Sequence, residues 1–283
     1  MLKRVSAYLI RLQNLNRIAA GLSRAAALRA GRNTDPADPG SWEFSAFSQN
    51  GEDGIIDYLL QHVRDRNRYF IEIGVEDGLE CNSAWLAIAR KFNGLMIEGN
   101  AAKCRRAAAL YFQVNLGVEC LSAFVTKQNI SQLLQAALHR NPDVFSLDID
   151  GNDYYVAESI MNAGFRPKIF VVEYNSVFGP DRPVTIQYRE DFDFISAHST
   201  QLYYGVSIAA WKNFFTRHGY SFVTVDSNGV NAFFAAPDQF QSGFLERIAG
   251  YPYKENFYQL KKFKLPWQEL FEKIEGQPLV SIS

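Results

Sequence analysis

The chain has 283 residues, enough for one large domain with a sizeable core. Its formal charge of −1 gives no global attraction to nucleic acid, so that partner class is set aside. Three cysteines (Cys81, Cys104, Cys120) and four dispersed histidines lack metal-ligand spacing, which argues against a zinc module or disulfide scaffold and fits a reducing, cytoplasmic setting.

From Met1 to Thr34 there are seven Lys or Arg and no acid. Leu2, Val5, Leu9, Leu12, Leu15, Ile18 and Leu22 recur at three- and four-residue steps, which predicts one helix with an apolar stripe. Arg11 and Arg17 interrupt it too much for a secretory signal or a membrane span. The helix, with Lys3 and Arg4 also on its polar side, reads in one of two ways. It rests on an anionic membrane surface, holding the protein at the inner membrane face, or it packs on the domain or on a partner subunit of a homo-oligomer. DPADPGS, Asp35 to Ser41, reads as a linker. The expected organisation is a helical segment at 1–34, a linker at 35–43, a principal domain at 44–248 and a C-terminal extension at 249–283 that packs on it.

FSQNGEDGII, Phe47 to Ile56, opens the principal domain. Ser48 has the place of an N-cap with Glu52 near its capping-box position, and a helix is expected over 52–63. Gln49 can also reach across the end of the first strand to a ligand. That strand is the apolar run Tyr69–Ile73, broken by Gly74 into a tight turn that ends at Gly78. A glycine there lets backbone approach a ligand without a Cβ between them. A helix near 82–91 and a strand at Leu95–Ile97 follow, with Glu98 at the strand's end. In an open α/β sheet ligands lie beyond the carboxyl ends of the strands, and an acid there can hold both ribose hydroxyls.

The turn carries Glu72, Glu76, Asp77 and Glu80, with no Lys or Arg from Ile71 to Ala89. Four carboxylates repel the pyrophosphate of a dinucleotide, and Glu76 stands where G-x-G-x-x-G has its middle glycine. They suit an adenosine ligand with a cationic reactive end, as S-adenosylmethionine has. A plain strand–turn–helix with acidic residues at the helix start would use the same residues.

Further helices are expected at 101–110, 130–139 and 154–162, and strands at Phe112–Asn115, Val144–Ile149 and Ile169–Glu173. The alternation predicts a parallel sheet covered on both faces. SLDIDGNDYY places Asp148, Asp150 and Asp153 at the end of the fourth strand; VVEYNSVFGP places Glu173 and Asn175 at the end of the fifth. Such oxygens suit Mg2+, with Asp148, Asp150, Glu173 and Asn175 as its ligands, polarising a substrate hydroxyl. Without metal, one carboxylate would act as general base and the others would hydrogen-bond a polyol. Asp153 can instead cap the next helix, and Asp150–Gly151–Asn152 can merely turn. In the long connection that follows, His198 is a candidate base beside Tyr203 and Tyr204. A helix at 206–218 then leads into Ser221–Val225, an Asn228–Gly229 turn and Asn231–Ala236, an antiparallel hairpin.

Together these pieces resemble the FkbM-like family of S-adenosylmethionine-dependent methyltransferases, from about Phe47 to Ala236. SQNGED is similar to the family's opening motif, FIEIGVEDG to its cofactor loop and IEGN to its ribose carboxylate. AFVTKQNI, Ala123 to Ile130, resembles the segment before the fourth strand, and SLDIDGNDYYV with VVEYN its acidic strand ends. Glu76–Asp77 departs from the smaller or neutral turn of many members. The resemblance implies a doubly wound, mostly parallel seven-stranded sheet of the class I methyltransferase type that ends in an antiparallel hairpin. It implies O-methylation of a sugar, glycan or related natural product, the small-molecule or glycan acceptor being the partner. S-adenosylmethionine is then held by Glu72, Gly74, Gly78, Glu98 and Gln49, and the acceptor is met by Asp148, Asp150, Glu173 and His198. Two other readings use the same elements: a cofactor-binding scaffold without chemistry, and an NAD-dependent sugar oxidoreductase, which the acidic turn opposes.

Overall fold

In this computed structural model, which describes residues 2–283 and the side chains from Arg11 on, the chain begins with one 29-residue helix, α1 (Leu2–Ala30). After α2 (Glu52–Gln61), strands and helices alternate: β1 (Tyr69–Ile73), α3 (Ala84–Ile88), β2 (Asn93–Glu98), α4 (Ala101–Val114) and β3 (Val118–Ser122). Then come α5 (Ile130–Leu133), β4 (Val144–Leu147), α6 (Asp153–Asn162) and β5 (Ile169–Glu173). A longer connection carries β6 (Val184–Ile186) and α7 (Phe194–Ala197) before α8 (Ile208–Arg217), β7 (Ser221–Val225) and β8 (Asn231–Ala235). The chain ends with α9 (Phe257–Phe263), α10 (Trp267–Glu272) and β9 (Leu279–Ser281).

Seven strands form one sheet in the order β3-β2-β1-β4-β5-β8-β7. The first five are parallel, and β8 lies antiparallel between β5 and β7. The order reverses between β1 and β4, the switch point beyond which an α/β sheet opens a crevice. This is the doubly wound sheet of the class I methyltransferase fold. Its inner strands run apolar because both faces are covered. Phe70, Ile169, Val171 and Phe233 join the core with Ile18, Ile55 and Trp85 of α1, α2 and α3. Ile71, Phe170, Val172 and Phe234 join the opposite core with Ile130, Ile160 and Trp211 of α5, α6 and α8. A satellite core of Phe178, Ile186, Phe192 and Leu270 lies where β6 pairs with β9 and α10 packs nearby.

Some elements differ from expectation. The strand expected at Phe112–Asn115 is the last turn of α4: Ala107, Leu110 and Tyr111 are buried on one face while Phe112 is 77% exposed. Asn115 ends the helix, its amide donating to the Tyr111 carbonyl (2.9 Å) and its Nδ2 to the carbonyls of Ala87 and Phe92. The strand starts after that turn, at Val118. The helix expected to reach 139 stops as α5, followed by one 3-10 turn to Ala136.

The N-terminal stripe is split. Ile18 and Ala25 are buried, and a Cβ on Gly21 would lie 2.6 Å from the Ala46 carbonyl oxygen, so α1 meets the domain closely. Leu12, Leu15 and Leu22 face outward. Four of the basic residues turn inward: Arg17 donates to Asp77 (2.6 Å), Arg24 to the Ala46 carbonyl (3.4 Å) and Arg32 to the Trp42 carbonyl, while Arg29 faces Asp57 (3.4 Å); Arg11 is exposed. The described part of α1 therefore packs on its own domain through its cations, the reverse of the orientation a basic membrane helix needs. The side chains of Leu2, Lys3, Arg4, Val5 and Leu9 lie outside the described residues. Among the described residues, no helix is long and apolar enough to cross a membrane.

Candidate active site

A cavity of about 500 Å3 opens beyond the carboxyl ends of β1, β2, β4 and β5. Gly74 makes it by backbone geometry. Its φ is +87°, and a Cβ there would sit 1.7 Å from the Asp148 carbonyl oxygen, so only glycine lets the ends of β1 and β4 meet. Its amide donates to the Ile97 carbonyl (2.9 Å), and the Asp148 amide to that of Ile73 (3.1 Å), which fixes the three strand ends together.

On the β2 side, Glu98 lines the cavity with each carboxylate oxygen accepting one backbone amide, from Glu76 (2.8 Å) and Asn100 (2.7 Å). Its remaining lone pairs are free for a diol. Gln49 also lines the cavity and donates to Glu80 across its mouth (2.5 Å). Glu72 lies in the wall, but its oxygens accept the amides of Asn82 (2.9 Å) and Ser83 (2.8 Å) and the Ser83 hydroxyl. It braces the loop after the turn. Gly78 does not line the cavity: it faces α4, where a Cβ would lie 2.7 Å from that of Ala107, and its carbonyl accepts the Tyr111 hydroxyl (2.7 Å). Its missing side chain serves helix packing, a correction to the cofactor role expected of it.

The charge of the turn also differs from the expectation. Lys103 of α4 pairs with Glu76 (2.5 Å) and Arg17 of α1 with Asp77 (2.6 Å). Two of the four carboxylates are therefore answered by cations from distant segments. Ser48 does cap α2, accepting the Asp53 amide (3.0 Å), but the residue at the helix boundary is Gly51, with φ +92°. Glu52 turns back to Asn50 and to Asn231 of β8, whose Nδ2 donates to it (2.8 Å).

On the β4 and β5 side, Asp148, Asp150 and Glu173 bring one oxygen each within 4.8 Å of one another. Burial, and then their mutual repulsion, pushes the Asp148 and Glu173 carboxyls well above the ordinary range. Asp150 is raised by burial and by Glu76, with Lys103 opposing. Asp153 does not join them; it accepts the amides of Ile149 (2.9 Å) and Gly151 (2.8 Å) and shapes the loop.

Two expected members fall outside. Asn175 is fully buried away from the cavity: its Nδ2 donates to the carbonyls of Leu202 (2.8 Å) and Tyr204 (3.0 Å), and its Oδ1 accepts the Val177 amide (3.1 Å). It pins the connection and lies outside the cavity, so it is no ligand for a metal held there. His198 is likewise absent from the lining, its Nδ1 held in a local turn with Thr200 (2.8 Å). The connection supplies Phe192 to the cavity wall instead, packed over Gly151.

Asn152, expected only to make a turn, and Asn231, expected only to open a hairpin strand, also line the cavity, and the Oδ1 of each is buried without a partner. For Asn231 a signal exists: it is the polar first residue of an otherwise apolar strand, and in the sheet it stands opposite Glu173.

No family model matches the chain, and no curated protein matches it. Among solved structures it is similar to the O-methyltransferase TomG from Streptomyces achromogenes, involved in tomaymycin synthesis and solved in complex with SAM. The identity is 16%, the TM-score 0.42, and the match covers 76% of this chain and 95% of that one. It is also similar to an O-methyltransferase from Bacillus cereus in complex with SAH (15%, TM-score 0.41, 77% and 89% covered). An S-adenosylmethionine-dependent methyltransferase from Clostridium acetobutylicum is another (12%, TM-score 0.39, 65% and 89% covered). At these identities and TM-scores the similarities say nothing about what this chain acts on.

Proposed function

We propose that the chain is an S-adenosylmethionine-dependent O-methyltransferase acting on a hydroxyl of a sugar, glycan or related natural product. One observation carries this reading: a single cavity holds a diol-ready carboxylate, Glu98, at the end of β2 and three clustered carboxylates at the ends of β4 and β5. The first suits the ribose of an adenosine ligand. The second suits an acceptor hydroxyl that must lose a proton. In the step, the acceptor oxygen attacks the cofactor's methyl carbon, the S–CH3 bond breaks as the O–CH3 bond forms, and adenosylhomocysteine leaves. The hydroxyl proton passes to a carboxylate of the trio. Burial and mutual repulsion raise the basicity of Asp148 and Glu173, so whichever carboxylate of the trio is ionised is the stronger proton acceptor for it. Gln49 and Glu72 then act on the cofactor side by closing the mouth and holding the loop.

A non-catalytic scaffold would have no use for the acidic cluster opposite the cofactor. For an NAD-dependent oxidoreductase, the argument from turn charge is weakened by Arg17 and Lys103, but Glu80 and the buried Glu72 still line the cavity and would oppose a pyrophosphate there. Calorimetric titration with adenosylhomocysteine and with NAD tests the proposal. Adenosylhomocysteine should bind and NAD should not; tighter NAD binding would sink it. Glu98→Ala should weaken cofactor binding by about 1.5–3 kcal/mol, the scale of a hydrogen bond to a charged group. Asp148→Asn should abolish single-turnover transfer and leave that affinity nearly unchanged.

A further inference from the structure

A second cleft of about 170 Å3 opens beside the main cavity, and Asp150, the most exposed of the acidic trio, lines both. Pockets that enclose a whole drug-sized ligand hold roughly 300–1,000 Å3, so this one takes a single ring whose neighbouring atoms lie at the trio. Its walls come from the connection after β5 and from the C-terminal extension. Phe194 of α7 and Tyr258 and Phe263 of α9 give it aromatic rings, and Tyr258 is 47% exposed. Its charged lining is one anion, Asp150, and one cation, Lys262, which suits a neutral occupant.

Tyr204 also lines the cleft and is only 7% exposed. Asn175 fixes its place by donating to its carbonyl (3.0 Å). The Tyr204 hydroxyl oxygen accepts Gln259 Nε2 (3.2 Å), Gln259 Oε1 accepts the Ser176 hydroxyl (3.3 Å), and that hydroxyl oxygen accepts the Asn256 amide (2.9 Å). Every donor in this relay points toward Tyr204, which leaves the phenol its own proton to give. Neighbouring Tyr203 spends its proton on the Pro278 carbonyl (2.6 Å). Burial, and then the carboxylates of Glu173, Asp150 and Asp148, push the Tyr204 phenol well above its ordinary range, so it stays a donor.

We propose that this cleft is the acceptor subsite and that it takes a neutral pyranose ring, held between the aromatic rings and positioned by the Tyr204 hydroxyl. The C–H face of such a ring suits Phe194 and Tyr258, and its hydroxyls suit a phenol and side-chain amides. An aryl acceptor would use the rings and leave the Tyr204 proton unpaired, which is costly. The inference rests on the reading of the main cavity as a methyl-transfer centre, but its test needs no transfer.

The test is saturation-transfer NMR on the full chain, with and without adenosylhomocysteine. The probes are the methyl glycosides of glucose, galactose, mannose and rhamnose, with phenol as the aryl probe. At least one glycoside should bind and phenol should not. Tyr204→Phe keeps the ring and should weaken that glycoside about fivefold, the scale of one hydrogen bond. Tyr258→Ala should weaken it about tenfold, the scale of an aromatic contact. Melting temperatures should hold in both, since one change keeps the core volume and the other is at the surface. No glycoside bound, phenol bound in their place, or glycoside binding unchanged in both variants overturns the proposal. A chain that binds adenosylhomocysteine but no glycoside loses the subsite and keeps the methyl-transfer reading. A chain that binds a glycoside through Tyr204 and Tyr258 but no adenosylhomocysteine keeps the sugar site and loses that reading.

Discussion

Gly74 and Glu76 both hold left-handed backbone in the turn after β1, with φ +87° and +54°, and face opposite constraints. At Gly74 the neighbour is backbone: a methyl group would meet the Asp148 carbonyl at 1.7 Å, and the strand ends would have to part. Gly74→Ala should therefore destabilise the protein by about 3 kcal/mol or more, since overpacking and strained backbone add. At Glu76 a side chain is tolerated because it points out, 60% exposed at the side chain, toward Lys103. Its left-handed backbone costs roughly 1–2 kcal/mol, which glycine would relieve while losing entropy of roughly 0.5–1 kcal/mol and an exposed ion pair worth at most about 1 kcal/mol. Glu76→Gly should thus change stability by no more than about 1 kcal/mol. Urea unfolding of the two variants measures both numbers. A loss at Glu76→Gly as large as that at Gly74→Ala would mean the Lys103 pair holds the turn.

Elements whose burial is uniform were legible and those at the edge were not. β1 and β5 begin and end where the apolar runs YFIEI and IFVVE do, because every residue in them is buried. The segment at 112–115 misled because Tyr111 and Phe112 favour strands intrinsically, while the contact that keeps them helical, the Tyr111 hydroxyl on Gly78, is made across the fold. The start of α2 carries a consequence of its own. Asp53 is fully buried there; one oxygen accepts the amides of Ala46, Phe47 and Ser48, and the other has no partner. Burial pushes its carboxyl from 3.8 up to about 7. The folded state then holds this proton more tightly than the unfolded chain, so the contribution is complete below about pH 4 and is lost as pH rises to 7. The loss is on the order of 4 kcal/mol across that window. Asp53→Asn keeps a carbonyl for the three amides and cannot titrate. Calorimetric melting from pH 4 to 8 should show a flatter decline for the variant, and an identical slope would remove Asp53 as the cause.

At the scale of the whole molecule, the acids of the site were readable because each follows its own strand, whereas Asn231, Phe192, Lys103 and Arg17 enter from segments far away in sequence. No local pattern announces a register such as Glu173 opposite Asn231. The same holds for α1, whose Leu12, Leu15 and Leu22 point outward while Ile18, Arg17 and Arg29 close on the domain. Arg17 holds Asp77 in the turn after β1, Gly21 lies over the segment at Ala46–Phe47 that leads to Gln49, and Ile18 and Ala25 share that segment's core. Removing residues 1–32 should therefore act on the site as well as on stability. The buried area of Ile18 and Ala25 and the Arg29–Asp57 pair together contribute about 3 kcal/mol, which corresponds to a melting point lower by about 5–10 °C. Adenosylhomocysteine affinity should fall with it, because the turn that positions the Glu76 amide on Glu98 loses its anchor at Asp77. Arg17→Ala separates the two effects: a partly exposed ion pair contributes at most about 1 kcal/mol to stability, so affinity should fall while the melting point barely moves. If the truncated chain binds adenosylhomocysteine as tightly as the full one, α1 is a stabilising strap with no hold on the site. A drop in solution mass on truncation would instead assign the exposed Leu12, Leu15 and Leu22 to a second copy of the chain. Sedimentation with anionic liposomes, lost on truncation at unchanged mass, would assign them to a membrane surface, against the inward turn of the four arginines.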